Sequence, residues 1–141
     1  MLNEVDFPLT NSQISEFILD EGYTTYFKLQ QALSELLESG FIREESTHHR
    51  TFYHLTEDGA ETIHYFTNDI SPAIQHDIDE FLKEKHYELK NEMSVKADYF
   101  ENSNMEYSVR CQVIEQGLPL IDLTVTAPTE SEAATIANNW Q

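Results

Sequence analysis

The stretch that determines the fold is residues 24–59, TTYFKLQQALSELLESGFIREESTHHRTFYHLTEDG. It opens as a helix, because Leu29, Leu33 and Leu36 recur at the three- and four-residue spacing of one helical face. A glycine ends that helix, and two short apolar segments around a polar turn then predict a β-hairpin. Thr56 is placed to cap the helix that follows.

A shorter helix is expected just before this stretch, capped by Thr10 or Asn11 and stopped by Gly22. Residues 1–9 are expected to be the end of another helix followed by a turn. The order helix, helix, hairpin, helix predicts a winged helix-turn-helix, in which the second helix enters the major groove of DNA. We assign this domain to residues 1–69.

The second half of the chain, residues 70–141, has a different pattern. Ser71 begins a long helix with a proline at its first turn, and three segments of alternating apolar and polar residues follow. The turns between these strands are expected at 102–104 and at Gln116–Gly117, and Thr129 begins a last helix. The prediction is an α-β-β-β-α domain for dimerisation or ligand sensing.

The predicted fold class is therefore α+β. An N-terminal winged helix-turn-helix is followed by a helix, a three-stranded antiparallel sheet and a C-terminal helix. A sheet with helices on one face leaves its other face free for a small molecule, a partner or a second subunit.

Composition restricts the function classes. The 141 residues include one cysteine, which allows no internal disulfide and no cysteine-based metal site. We expect no membrane span, because the chain has no long apolar run, and no signal peptide, because its start is acidic. These features are typical of a cytoplasmic protein. The four glycines form no phosphate-binding loop, no catalytic set is present, and no histidine has a metal-ligand spacing, so we expect neither an enzyme nor a cofactor.

Two segments carry a resemblance to a known family. LQQALSELLESGFI and REESTHHRTFYHLTEDGAE, residues 29–61, resemble the recognition helix and wing of bacterial winged-helix regulators of the PadR and MarR kinds. The shared features include Gly40, the pair Phe41–Ile42 and the pattern Tyr53-x-Leu55-Thr56-x-x-Gly59. The whole chain, with DFPLTNSQISEFI, is similar to a bacterial winged-helix family that forms a domain of unknown function. That resemblance implies a further helix before Met1.

The resemblance places candidate DNA-binding residues in three segments. The front of the recognition helix supplies side chains that suit base edges and phosphates, and these are Thr24, Thr25, Lys28, Gln30 and Gln31. The start of the preceding helix is a candidate phosphate site, at Thr10, Asn11 and Ser12. The wing supplies His48, His49 and Arg50. As a plainer alternative, the glutamines are solvated helix surface and the histidines are ordinary turn residues.

The net charge of −18 opposes DNA binding, because it repels phosphate at long range. The three candidate segments, however, lie in stretches free of acidic residues, at 7–15, 22–34 and 46–56. We therefore expect a regulator that binds double-stranded DNA as a homodimer. The alternative is an adaptor that binds a protein partner and no DNA, since an acidic surface suits a basic partner and fold does not determine function.

Overall fold

The computed structural model describes residues 1–115 and 117–140, and for Met93 the backbone only. Gln116, half of one predicted turn, lies outside the described residues. The chain is a mixed α+β protein that divides into two compact units. The first comprises Met1–Ser46 and Arg50–Leu89, and the second comprises Thr47–His49 and Lys90–Gln141.

Five α-helices are described: α1 (Asn11–Asp20), α2 (Tyr26–Glu38), α3 (Glu57–Phe66), α4 (Pro72–Ser94) and α5 (Glu130–Trp140). The six strands are β1 (Leu9–Thr10), β2 (Ile42–Ser46), β3 (Thr51–Leu55), β4 (Val95–Glu101), β5 (Tyr107–Glu115) and β6 (Leu118–Ala127). Short 3₁₀ turns occupy Leu2–Glu4 and Thr67–Asp69. The strands form two antiparallel sheets, ordered β1-β3-β2 and β4-β5-β6.

The helices of the first unit begin where their capping residues predict. The Thr10 hydroxyl accepts the backbone N–H of Gln13, and the Gln13 side chain accepts the N–H of Thr10, at 3.1 and 2.9 Å. Thr25 and Thr56 cap α2 and α3 in the same way through their hydroxyl oxygens. Each cap satisfies N–H groups that have no partner within the helix.

One hydrophobic core holds the first unit together. Its buried members come from β1, α1, α2, the β2–β3 hairpin and α4, and they are Leu9, Ile14, Leu29, Leu33, Ile42, Tyr53, Leu82 and Leu89. The sequence-based division assigned all of α4 to the second domain, but Leu82 and Leu89 pack in this core. On α2, the buried residues Leu29 and Leu33 determine which side of the helix faces the core and which faces solvent.

Three local expectations differ from the structure. Residues 1–9 contain a 3₁₀ turn and strand β1 rather than the end of an α-helix, because Leu9 and Thr10 pair with β3. Helical spacing in the sequence also places Tyr26 on the apolar face of α2 and Phe66 on the inward face of α3. In the structure their side chains are 59% and 56% exposed.

The second unit is a sheet covered on one face by α5. Val109 of β5 and Ala133 and Ala137 of α5 have no exposed surface, so the small helix residues lie close against the strand. Trp140 donates its indole N–H to the backbone carbonyl of Gln112 at 3.0 Å. Cys111 is buried in the same layer, and burial raises the pKa of its thiol.

Gly59 in α3 tests the packing of the hairpin on that helix. A Cβ there would lie 2.0 Å from the carbonyl oxygen of Phe41 and 2.9 Å from Leu55 Cδ1. Alanine ordinarily stabilises a helix relative to glycine, but here the clash makes the substitution destabilising. We expect Gly59→Ala to lower the free energy of unfolding by about 3 kcal/mol, measured by urea denaturation.

The control is Gly22→Ala, at a site where the backbone φ is +69° and no atom lies within 4 Å of the added Cβ. It should cost only the left-handed backbone penalty of about 1 kcal/mol. A Gly59→Ala protein as stable as the wild type would contradict the described contact between α3 and the segment before β2.

Candidate nucleic-acid interface

The start of α2 presents an exposed surface of mixed chemistry. Thr25 caps the helix, and Lys28 and Gln31 follow on its outer side, all three exposed. Phe27, which the sequence analysis did not select, is 77% exposed. Thr24 is half-buried just before the cap. Because Leu29 and Leu33 hold the opposite side of α2 in the core, these side chains share the face that points to solvent.

Gln30 has a different environment from Gln31, although the two are neighbours in sequence. Its side-chain amide exchanges two hydrogen bonds with the amide of Asn11, at 2.8 and 3.1 Å. Asn11 also donates to the Tyr53 hydroxyl and accepts from the Ser15 hydroxyl. This cluster joins α1, α2 and β3, so Gln30 contacts a base edge only if its bonds to Asn11 break.

The three residues at the start of α1 also differ among themselves. Thr10 is buried, and its N–H and hydroxyl are both used in the capping box with Gln13. Asn11 is half-buried in the cluster with Gln30. Ser12 is exposed. Among these three predicted phosphate contacts, Ser12 is therefore the most accessible to a ligand.

The predicted wing residues fall in different units. His48 and His49 belong to the second unit, and Arg50 belongs to the first. The backbone N–H of His48 donates to Asp98 Oδ1 at 3.2 Å, its ring nitrogen also bonds that oxygen, and the ring stacks on Tyr99 with centroids 3.8 Å apart. His49 is exposed and Arg50 is half-buried. The DNA-binding role of each stays a prediction.

Carboxylates bond polar side chains just before α2, on α2 and in the hairpin. Asp77 of α4 accepts a 2.5 Å hydrogen bond from the Tyr23 hydroxyl, and this bond is the main cause that raises the pKa of Tyr23 to about 12. Gln31 donates to Glu35 one turn further along α2, at 3.4 Å. In the hairpin, Glu45 bonds His54 at 3.0 Å. The candidate segments of α2 and the hairpin are therefore bonded to acidic groups and do not form a purely basic patch.

An apolar groove is the main feature that the sequence analysis did not identify. It encloses about 320 Å³ between α2, α3 and the first residues of the chain, with Leu33, Leu36, Ile63 and Phe66 in its lining. The signal in the sequence was Leu36, which continues the helical stripe but is 39% exposed. A groove of this volume is within the range that accommodates ligands or partner side chains.

These features define an α+β protein with an exposed helix start and an adjacent apolar groove. Over residues 1–141 the chain matches the family described as Domain of unknown function (DUF4364), and it belongs to that family. No curated protein and no solved structure matches it. None of the helices within the described residues combines the length and the apolar character needed to cross a bilayer.

The Asn11–Gln30 pair generates a prediction about stability. Gln30→Ala should lower the free energy of unfolding by about 1 kcal/mol. Asn11→Ala should lower it by about 2 kcal/mol, because the Asn11 side chain makes hydrogen bonds to more partners than Gln30 does. The double variant should cost less than the sum of the two, since both remove the same pair of bonds. The measurement is urea denaturation followed by circular dichroism.

Gln31→Ala is the matched control, because the same residue type one position later is exposed and bonds only at the helix surface. It should change the free energy of unfolding by less than about 0.5 kcal/mol. Equal effects of the two glutamine substitutions would contradict a structural role for Gln30.

Proposed function

We propose that the first unit is a winged helix-turn-helix that binds double-stranded DNA, with α2 as its recognition helix and the β2–β3 hairpin as its wing. The order α1, α2, β2, β3, α3 and the third strand β1 support this assignment. A helix of 13 residues is about 20 Å long, a length that suits insertion into the major groove. The protein would act as a transcriptional regulator.

The observation that carries this proposal is the exposed, acid-free first half of α2. Residues 22–34 contain Lys28 and no carboxylate, and the inward stripe leaves Thr25, Lys28 and Gln31 exposed together. Lysine binds guanine or phosphate, and glutamine pairs with adenine. Gln31 takes the reading role in this proposal, because Gln30 is held by Asn11.

Electrostatics limit the affinity of one copy. Few cations are available to neutralise phosphates, and the net charge of −18 opposes the approach of DNA. A homodimer that reads two half-sites would double the number of contacts and is a common solution for helix-turn-helix proteins. The proposed regulator is therefore a dimer whose binding to DNA is strongly dependent on salt.

DNA binding is measured by fluorescence anisotropy with a labelled duplex of about 30 base pairs at about 50 mM salt. Lys28→Ala should weaken binding about tenfold and reduce the slope of log affinity against log salt by about 1. Gln31→Ala should have a smaller effect on a mixed-sequence duplex, because glutamine contacts base edges rather than phosphates.

Lys83→Ala is the control, since it removes the same charge from the exposed surface of α4. It should leave the affinity within about twofold of the wild type, because only the long-range field changes. Absence of binding by the wild-type protein at low salt, or equal losses for both lysine variants, would contradict the proposal.

The apolar groove favours a second candidate function, that of a protein-interaction adaptor. Exposed carboxylates lie within two residues of lining residues in the sequence of both helices, at Glu35 and Glu38 of α2 and Glu61 of α3. An apolar groove with an acidic rim fits an amphipathic helix with basic flanks, which lays its apolar face into the groove. The net charge that opposes DNA would attract such a partner.

A synthetic amphipathic peptide of alternating leucine and lysine faces, about 18 residues long, serves as the probe for this candidate. Leu36→Asp should weaken its binding at least about tenfold, because it places a charge in the groove. Leu19→Asp is the control. The exposed fraction of Leu19, 37%, is similar to that of Leu36, 39%, but Leu19 lies outside the lining. Failure of the wild-type protein to bind the peptide would count against the adaptor function.

A further inference from the structure

Strand β6 is an open edge of the second sheet. It is ten residues long and pairs with β5 on one side only, as the order β4-β5-β6 requires. Nine of its ten residues are exposed, and Ala127 alone is buried. A long edge strand presents a row of N–H and C=O groups to any strand that approaches it.

The opposite edge of the same sheet, strand β4, is contacted by a turn. Within the second unit, the turn residue His48 donates its N–H to Asp98 of β4 and stacks on Tyr99. Across the residues that the structure describes, no strand pairs with β6 on its outer side. Edge strands are usually protected by lysine or proline. β6 contains no lysine, and its single proline, Pro119, protects only the start of the strand.

One side of β6 carries an apolar strip that remains partly exposed beside α5. The register places Ile121, Leu123 and Val125 opposite Val113, Cys111 and Val109 of β5, so they lie on the face that packs against α5. Cys111 and Val109 are buried, yet the three β6 side chains are 45%, 38% and 39% exposed. The strip therefore extends the hydrophobic layer to the edge of the sheet, where it meets solvent.

Charge distinguishes this strip from most of the surface. The only ionisable side chain of β6 is Asp122, on the other face, and Arg110 binds it with two hydrogen bonds at 3.1 and 2.8 Å. Two copies of a protein with a net charge of −18 repel one another, and the repulsion is least where a surface of no net charge meets its own copy. The β6 edge is such a surface.

We propose that β6 is the contact through which two copies of this chain form a symmetric dimer. The two β6 strands pair antiparallel about a two-fold axis and join the sheets into one of six strands. Antiparallel pairing of a strand with itself satisfies both rows of edge groups at once. The apolar strips of the two copies then lie side by side and shield each other from solvent. This goes beyond the proposed DNA binding, which needs two copies but does not say where they meet.

The first test is the mass of the wild-type protein in the absence of DNA, by sedimentation equilibrium. A chain of 16.4 kDa should form a dimer of twice that mass at micromolar concentration. Added salt should strengthen the dimer, because screening reduces the repulsion between like-charged copies. The same change weakens a DNA complex, so the direction of the salt effect distinguishes a failed dimer contact from failed DNA binding. A monomer at about 100 μM and physiological salt would overturn the dimer.

The second test is Leu123→Lys, which places a charge in the middle of the strip in both copies. It should raise the dimer dissociation constant at least about 100-fold. Phe100→Lys is the matched control, because it exchanges an exposed apolar residue for lysine on β4, the other edge strand. It should leave the dissociation constant unchanged. A folded Leu123→Lys dimer of wild-type affinity would exclude this edge as the interface.

A third measurement does not depend on whether Leu123→Lys folds. A spin label on Thr124→Cys, with Cys111→Ala to leave one thiol, reports the distance between the two β6 strands. Paired strands lie about 5 Å apart, so labels near the two-fold axis should be within about 20 Å of each other. A dimer whose labels are further apart than that would have its interface elsewhere, and the proposal would fail.

Discussion

The orientation of α2 depends on the side chain of Asn11. Its amide is the meeting point of three elements, with Gln30 on α2, the Tyr53 hydroxyl on β3 and Ser15 on its own helix. A half-buried amide with these partners tolerates little displacement, because any shift leaves donors unsatisfied. The hydrophobic stripe of α2 determines which side faces inward, and Asn11 determines how far the helix is rotated and advanced.

The parts of the fold that follow local rules could be predicted from the sequence. The starts of α1, α2 and α3 coincide with capping threonines, and all three strands of the second sheet follow the alternation of apolar residues. The two-residue strand β1 could not be predicted, since it exists only because β3 offers an edge more than 40 residues later. Phe66 illustrates the same limit, because the helical pattern marks a face but not whether another element covers it.

The candidate site shows the same division between local and long-range information. Lys28 and Gln31 could be placed on the outer side of α2 from the helical period alone. The role of Gln30 could not, because its partner lies 19 residues away and pairs with it through tertiary packing. Thr10 is a related case, since the residue type suits both a phosphate contact and a cap. The bond from its N–H to the Gln13 side chain favours the cap, and the Thr-x-x-Gln spacing is the sequence signal for that bond.

The position of Cys111 has a consequence for how this protein responds to oxidants. Thiolates are the reactive form of cysteine, and the buried side chain, with its raised pKa, is held as an unreactive thiol. Because it is the only sulfhydryl in the chain, two folded molecules have no ready means of becoming covalently cross-linked. A disulfide between two copies would therefore report that the fold had opened around Cys111.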